Sequence, residues 1–278
     1  MTFLILGILG GLIHVSNEQV HLFEKHAATD IAQRLDGPNR RVEVKANVGP
    51  EALWGDIHSV AIHASGFRAS GLPFFTEPKR SQRGLVRDLQ IDLTDFSLGK
   101  LHVQKMQAEI PDCHFDFPLA VNHRKIRLSR SGVGHGEVVV GQDDLEQFVL
   151  AKYHEIRRVS VKIDKDKIFI DGTGEFLIFK ASFTVIARLE CIDGNTLHLT
   201  HARVLIDGLP ADEGVRKVLL DVLDPVVDVD RDLDLHGAIR VQGLTLRDGQ
   251  LRAEGVAVIP DAPSTGSTEK STPLGHKL

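Results

Sequence analysis

Histidine is the chemically versatile residue this 278-residue chain has in greatest supply, with fourteen copies. Two histidines on one face, joined by a third donor, could hold a zinc ion. The spacings argue against such a site. His198 and His201 lie three apart in a segment of strand character, so their side chains point to opposite faces. His58 and His63 fail the same parity test, and no His-Glu-x-x-His occurs. Cys113 and Cys191 are too few and too far apart for a zinc site or a disulfide framework. One bridge in an oxidising compartment and two unrelated thiols both fit them. Asp95-Phe96-Ser97-Leu98-Gly99 lacks the first glycine of a nucleophile elbow. Gly132-x-Gly134-x-Gly136 lacks dinucleotide-loop spacing, and no Gly-Lys-Ser/Thr phosphate loop is present. The expectation is no catalytic group, no metal site and no cofactor.

Two charge runs remain. Asp228, Asp230, Asp232 and Asp234 alternate like the start of a calcium loop, but Leu233 stands at its glycine position and Ile239 at its final glutamate. As a strand, the run has an acidic outer face with Val229, Leu233 and Leu235 inside. Arg124, Lys125, Arg127 and Arg130 form a basic run in which Ile126 and Leu128 share one strand face and Lys125 and Arg127 the other. A solvated face explains that pattern, and contact with anionic lipid is physically reasonable.

The elements that must position these residues begin with a helix over 16–36. Ser16 and Gln19 form a capping box at its start. Val20, Phe23, Ala27, Ile31 and Leu35 then make one apolar stripe, and Gly37-Pro38 ends the helix. From Arg41 the period becomes two: Val42-x-Val44, Val60-x-Ile62, Leu89-x-Ile91-x-Leu93, Leu101-x-Val103 and Ile126-x-Leu128 read as strands. Pro73–Arg83 reads as a polar loop. A second helix is expected over 142–155, capped by Asp143 or Asp144, and a third over 211–223, ended by Pro225. Val159–Ile163 and Ile168–Ile170 pair across Asp164–Lys167. Asp193-Gly194 and Asp248-Gly249 mark two more hairpins, because Asp-Gly favours the primed turns. The order predicts an α+β fold built on a long antiparallel sheet.

Composition bounds the rest. Hydrophobic residues at 42% and charged residues at 26% exclude full disorder. A net charge of −5 argues against nucleic-acid binding, which needs a basic stripe. Residues 1–15 are uncharged and nearly all apolar, too short to span a bilayer alone; a buried element would also fit them, but an export signal or membrane anchor is the favoured reading. Residues 16–260 read as one folded domain and 261–278 as a disordered tail.

A resemblance adds to this. The hydrophobic start leads into Ala27-Ala28-x-x-Ile31-Ala32. Val42-Glu43-Val44 and Gly136-Glu137-Val138-Val139-Val140 come next, the latter before Asp144-Leu145. Later come Ile192-Asp193-Gly194, Asp224-Pro225-Val226-Val227-Asp228-Val229 and the closing Gly243-Leu244-Thr245-Leu246-x-Asp248-Gly249-x-Leu251. This order resembles the LmeA-type phospholipid-binding family of bacterial cell-envelope proteins. The resemblance implies an elongated, tubular lipid-binding-like fold in which a curled antiparallel sheet wraps the N-terminal helix. It also implies a non-enzymatic, extracytoplasmic protein, membrane-associated by its N-terminus, with phospholipid and the membrane surface as partners. Phe23, Ala27, Ile31 and Leu35 would line an apolar groove, with Lys125 and Arg127 near its mouth. Two rivals stay open: a structural or protein-interaction domain with a filled interior, and a hydrolase with an unrecognised site. A continuous apolar cavity separates the first rival from the lipid reading.

Overall fold

The computed structural model describes residue 18, residues 20–176 and residues 179–262. The expected leader 1–15, the Ser16/Gln19 capping box and nearly all of the expected tail lie outside the described residues.

Helix α1 covers 20–32. It stops short of 36 because Asp36 turns away to exchange backbone hydrogen bonds with Arg68, at 2.9 and 2.7 Å. The strands succeed it in chain order as β1 (Arg41–Asn47), β2 (Asp56–Ser65), β3 (Arg68–Ala69), β4 (Gly84–Leu98) and β5 (Leu101–Phe115), with a 3-10 turn over Pro50–Trp54 before β2. After β5 come α2 (Phe117–His123), β6 (Leu128–Arg130), β7 (Gly134–Gly141) and α3 (Gln142–Lys152). Next are β8 (Ile156–Asp164), β9 (Lys167–Phe176), β10 (Phe179–Ile192), β11 (Thr196–Ile206) and β12 (Leu209–Pro210). The chain then runs through α4 (Glu213–Leu223), β13 (Val227–Asp228), α5 (Val229–Leu233), β14 (Ile239–Arg247) and β15 (Gln250–Ala257).

The fold is α+β, with curled antiparallel strands and the N-terminal helix packed on them. The strands divide into two sheets. The first has the order β1-β2-β4-β5-β7-β15-β14, and the second β12-β11-β10-β9-β8. The first sheet departs from a pure meander where β15 returns to pair with β7, and where β2 and β3 both pair with β4 in parallel. A parallel pair needs a crossover connection. Residues 70–83 supply it, running across a sheet face instead of turning at an edge.

The hairpins obey the turn chemistry. Ile163 faces Ile168 and Asp164 faces Lys167, as the alternation predicts. Asp248 and Gly249 take φ of 52° and 75°, both left-handed, as a primed two-residue turn requires. Asp207-Gly208 makes the same turn between β11 and β12, from the same dipeptide signal. The two sheets are joined where the β10–β11 turn meets β14, with the Val241 amide donating to the Gly194 carbonyl at 2.8 Å. A continuous set of buried residues runs through both sheets, α1, α3, α4 and α5.

Four local expectations are corrected. The aspartate run is not a strand: Val229–Leu233 is the short helix α5, because Asp228 caps it by accepting from the Arg231 amide at 2.9 Å. Val229, Leu233 and Leu235 are nevertheless the buried residues of this segment. Helix α3 starts after Gly141, not after an aspartate cap; Asp144 reaches back to accept from the Gly141 amide at 3.1 Å. Ile126 lies outside β6, which starts at Leu128. Helix α2 is absent from the expected elements, although Asp116-Phe117-Pro118 is a proper start, with Asp116 accepting from the Leu119 amide at 3.0 Å.

Candidate functional site

The apolar stripe of α1 faces the first sheet. Ala27 and Ile31 are buried, Phe23 is half-buried against the same core, and Leu35, expected on the helix, is buried just past its end. Glu24 fixes the helix in place by accepting from the Ala46 amide of edge strand β1 at 2.9 Å. Between helix and sheet a cavity of about 80 Å³ remains. Phe23, Ala27 and Ile31 form its roof, and Val44, Val60, Ile62, Val86, Leu89 and Ile91 its floor. Cys113, Phe115, Ile126, Leu128 and Ile259 close the sides. Burial pushes the Cys113 thiol up to about 11, which keeps it neutral in this apolar wall. Cys113 and Cys191 are both free.

The crossover 70–83 covers this cavity. Phe74 and Phe75 line it, so the segment expected to be polar sends two aromatic rings inward. Thr76, 1% exposed, fastens the cover: its amide donates to the Pro260 carbonyl at 2.8 Å, and its hydroxyl to the Asp261 carboxylate. Glu77 adds a backbone bond to Leu128 at 2.8 Å. The charged groups at the cavity edge form one cluster. Asp30 on α1 pairs with both Arg34 and Arg127, each at 2.9 Å. Glu77 lies 3.7 Å from Arg127 and also pairs with Arg80. Arg34 donates to the Pro73 carbonyl at 3.2 Å and lies over the Phe74 ring at 5.9 Å.

The structure therefore gathers Phe23, Ala27, Ile31 and Arg127 around one cavity. Leu35 is buried beyond its lining, and Lys125 is exposed outside it. Sequence reasoning missed Asp30, Arg34, Phe74 and Phe75. Paired phenylalanines in an otherwise polar loop were the available signal.

A second apolar cavity of about 90 Å³ lies further along the same sheet face. Phe96, Leu98, Leu101, Val103 and Met106 line it, with Leu197 and Val227 of the second sheet and Val229, Leu233 and Leu235 around α5. The first cavity ends at Ile91, which faces Ala108; the second begins at Met106, which faces Leu93. These are successive inward positions of one strand pair, about 7 Å apart. The two cavities are thus separate neighbours along one apolar face of β4 and β5, a furrow interrupted between them.

Comparison with known proteins assigns the chain. The LmeA-like phospholipid-binding family matches residues 20–256. The chain belongs to that family. No curated protein and no solved structure matches it. For an LmeA-like protein, the polar clusters away from the furrow have structural explanations. His198 bonds Asp224 at 2.9 Å and Thr196 at 3.0 Å, which superficially resembles a catalytic relay. The Thr196 hydroxyl, however, donates to the Ile192 carbonyl at 3.0 Å, Asp224 also accepts from the Leu199 amide, and none of the three lines either cavity. The cluster pins the cis Asp224–Pro225 turn to β11. Lys152 ties α3 to the same segment through Pro225, Val226 and Asp232. Among the described residues, no group of three or more His, Cys, Asp or Glu is arranged to hold a metal, and no helix is long and apolar enough to cross a membrane. A larger hollow of about 530 Å³ beside Pro38–Arg41 is open and polar and offers nothing to an acyl chain.

Proposed function

We propose that this LmeA-like protein binds phospholipid without catalysis and transfers it in the bacterial cell envelope, where its N-terminal segment exports or anchors it. The acyl chains occupy the furrow between α1 and the first sheet, and an anionic head group meets Arg127 and Arg34 at the edge, with Lys125 outside. The observation that supports this reading is the apolar cavity under α1 with two arginines in its rim. Each methylene moved out of water contributes roughly 0.8 kcal/mol, so chain burial alone holds a lipid firmly. A cavity of about 80 Å³ is smaller than the roughly 300–1,000 Å³ of ordinary ligand pockets. Uptake therefore requires α1 and the 70–83 cover to part, joining the two cavities.

The small volume favours a second reading, a β-rich structural or protein-interaction domain without ligand. Native mass spectrometry of the purified protein decides between them. The lipid reading expects co-purified phospholipid, extraction of fluorescent phospholipid from vesicles, and no effect of chelators. Protein that carries no lipid and extracts none refutes it, and steady cleavage of the lipid refutes its non-catalytic part.

A further inference from the structure

The end of the first sheet that adjoins the first cavity carries an apolar surface with no assigned role. Leu53 and Trp54, in the 3-10 turn before β2, are 64% and 72% exposed; Val121 on α2 is 59% exposed. These are large side chains to leave in water, and Trp54 is the only tryptophan in the chain. They share one surface. Gly55, which ends the 3-10 turn with φ of 89°, sits so close to the Phe117 ring that a Cβ there would meet it at 2.8 Å. Val121 lies one helical turn beyond Phe117. Phe117 in turn packs edge-on against Phe115, with centroids 6.2 Å apart, and Phe115 is a wall of the first cavity. The exposed tip is thus one aromatic layer from the cavity.

Charge surrounds the tip in a specific way. Arg124 and Lys125 leave the end of α2, are exposed, and have no ion pair among the described residues. Arg34, Arg80, Arg87 and Arg127 are all paired with carboxylates. Glu51, the carboxylate of the 3-10 turn, folds back over Gly49.

We propose that this tip docks on an anionic lipid bilayer. Leu53, Trp54 and Val121 enter the interface, and Arg124 and Lys125 meet the head groups. An indole ring has an apolar body and one polar handle, which suits the boundary between head groups and chains. Unpaired cations are attracted by an anionic surface without first breaking an ion pair. The proposal rests on the lipid-binding reading and gives it a direction: the cavity nearest the membrane is the one under α1.

The test uses the full chain with phosphatidylcholine vesicles, with and without phosphatidylglycerol, and monitors Trp54 emission. A blue shift with the anionic vesicles, reversed by salt, is expected. Leu53→Ser and Val121→Ser keep the reporter and should each weaken vesicle binding about tenfold without changing the melting temperature. Replacing both Arg124 and Lys125 by Glu should abolish the preference for phosphatidylglycerol. Emission unmoved by either vesicle, or wild-type binding in both serine variants, overturns the proposal. Native mass spectrometry separates its failure from that of the cavity reading. Retained lipid with no vesicle shift rejects the tip alone; a vesicle shift with no retained lipid upholds the tip and rejects the cavity.

Discussion

Arg127 is held from two elements at once, by Asp30 of α1 and by Glu77 of the crossover. Arg127→Gln should lower stability to urea by about 1 kcal/mol and reduce retention of phosphatidylglycerol more than that of phosphatidylcholine. Equal loss of both lipids would mean that the guanidinium only closes the cover. His102 offers a pH test. Burial pulls its pKa down, but hydrogen bonds to Asp95 at 3.0 Å and Asp144 at 2.7 Å outweigh this and raise it above 6.5. A raised folded pKa stabilises fully below the unfolded value and loses that contribution as pH climbs through the folded value. Thermal stability should therefore fall from slightly acid to mildly alkaline pH, and His102→Gln should flatten this part of the profile. At this scale the sequence was only partly informative. The α1 stripe was readable because its spacing is local. Arg34 was not, since its partners Pro73 and Phe74 lie about forty residues away and only the crossover brings them near.

Helix α1 is the element on which the furrow depends. Ala27 is small and forms part of the cavity roof. Ala27→Leu should fill the space, raise stability by up to about 1 kcal/mol and abolish lipid extraction. Ile31→Asp at the same surface should instead cost about 3 kcal/mol or more, because a carboxylate there has no partner. A filled variant that extracts lipid normally would place the ligand elsewhere. The elements also show where local pattern misleads. The alternation of Asp228 to Asp234 satisfies period two, yet Val229 and Leu233 are also four apart, and the Asp228 cap decides for helix. Short helices such as α2 and α5 have too few turns for a stripe, so only their caps announce them. Long strands and Asp-Gly turns, by contrast, were legible because their signals repeat. The parallel register of β2 with β4 has no such signature, since neither strand differs in composition from an antiparallel one.

The whole molecule inherits its covered furrow from that parallel pair, whose crossover has to pass over a face. The cover is then fastened by the other end of the chain, and that long-range tie sets the order of assembly. Thr76 and Asp261 are 185 residues apart in sequence. Closing so long a loop is entropically late, and contacts of large sequence separation form slowly. The β8–β9 and β10–β11 hairpins of the second sheet, with turns of two and three residues, have no such delay. The furrow should consequently stay uncovered through most of folding, and during synthesis until β15 and the segment after it have emerged. Pulsed hydrogen exchange during refolding should protect the amides of β8 to β11 first and those of Thr76 and Glu77 last. Lipid supplied at the start of refolding should enter faster than lipid added to the finished protein, because for a limited time the compartment has no lid to open.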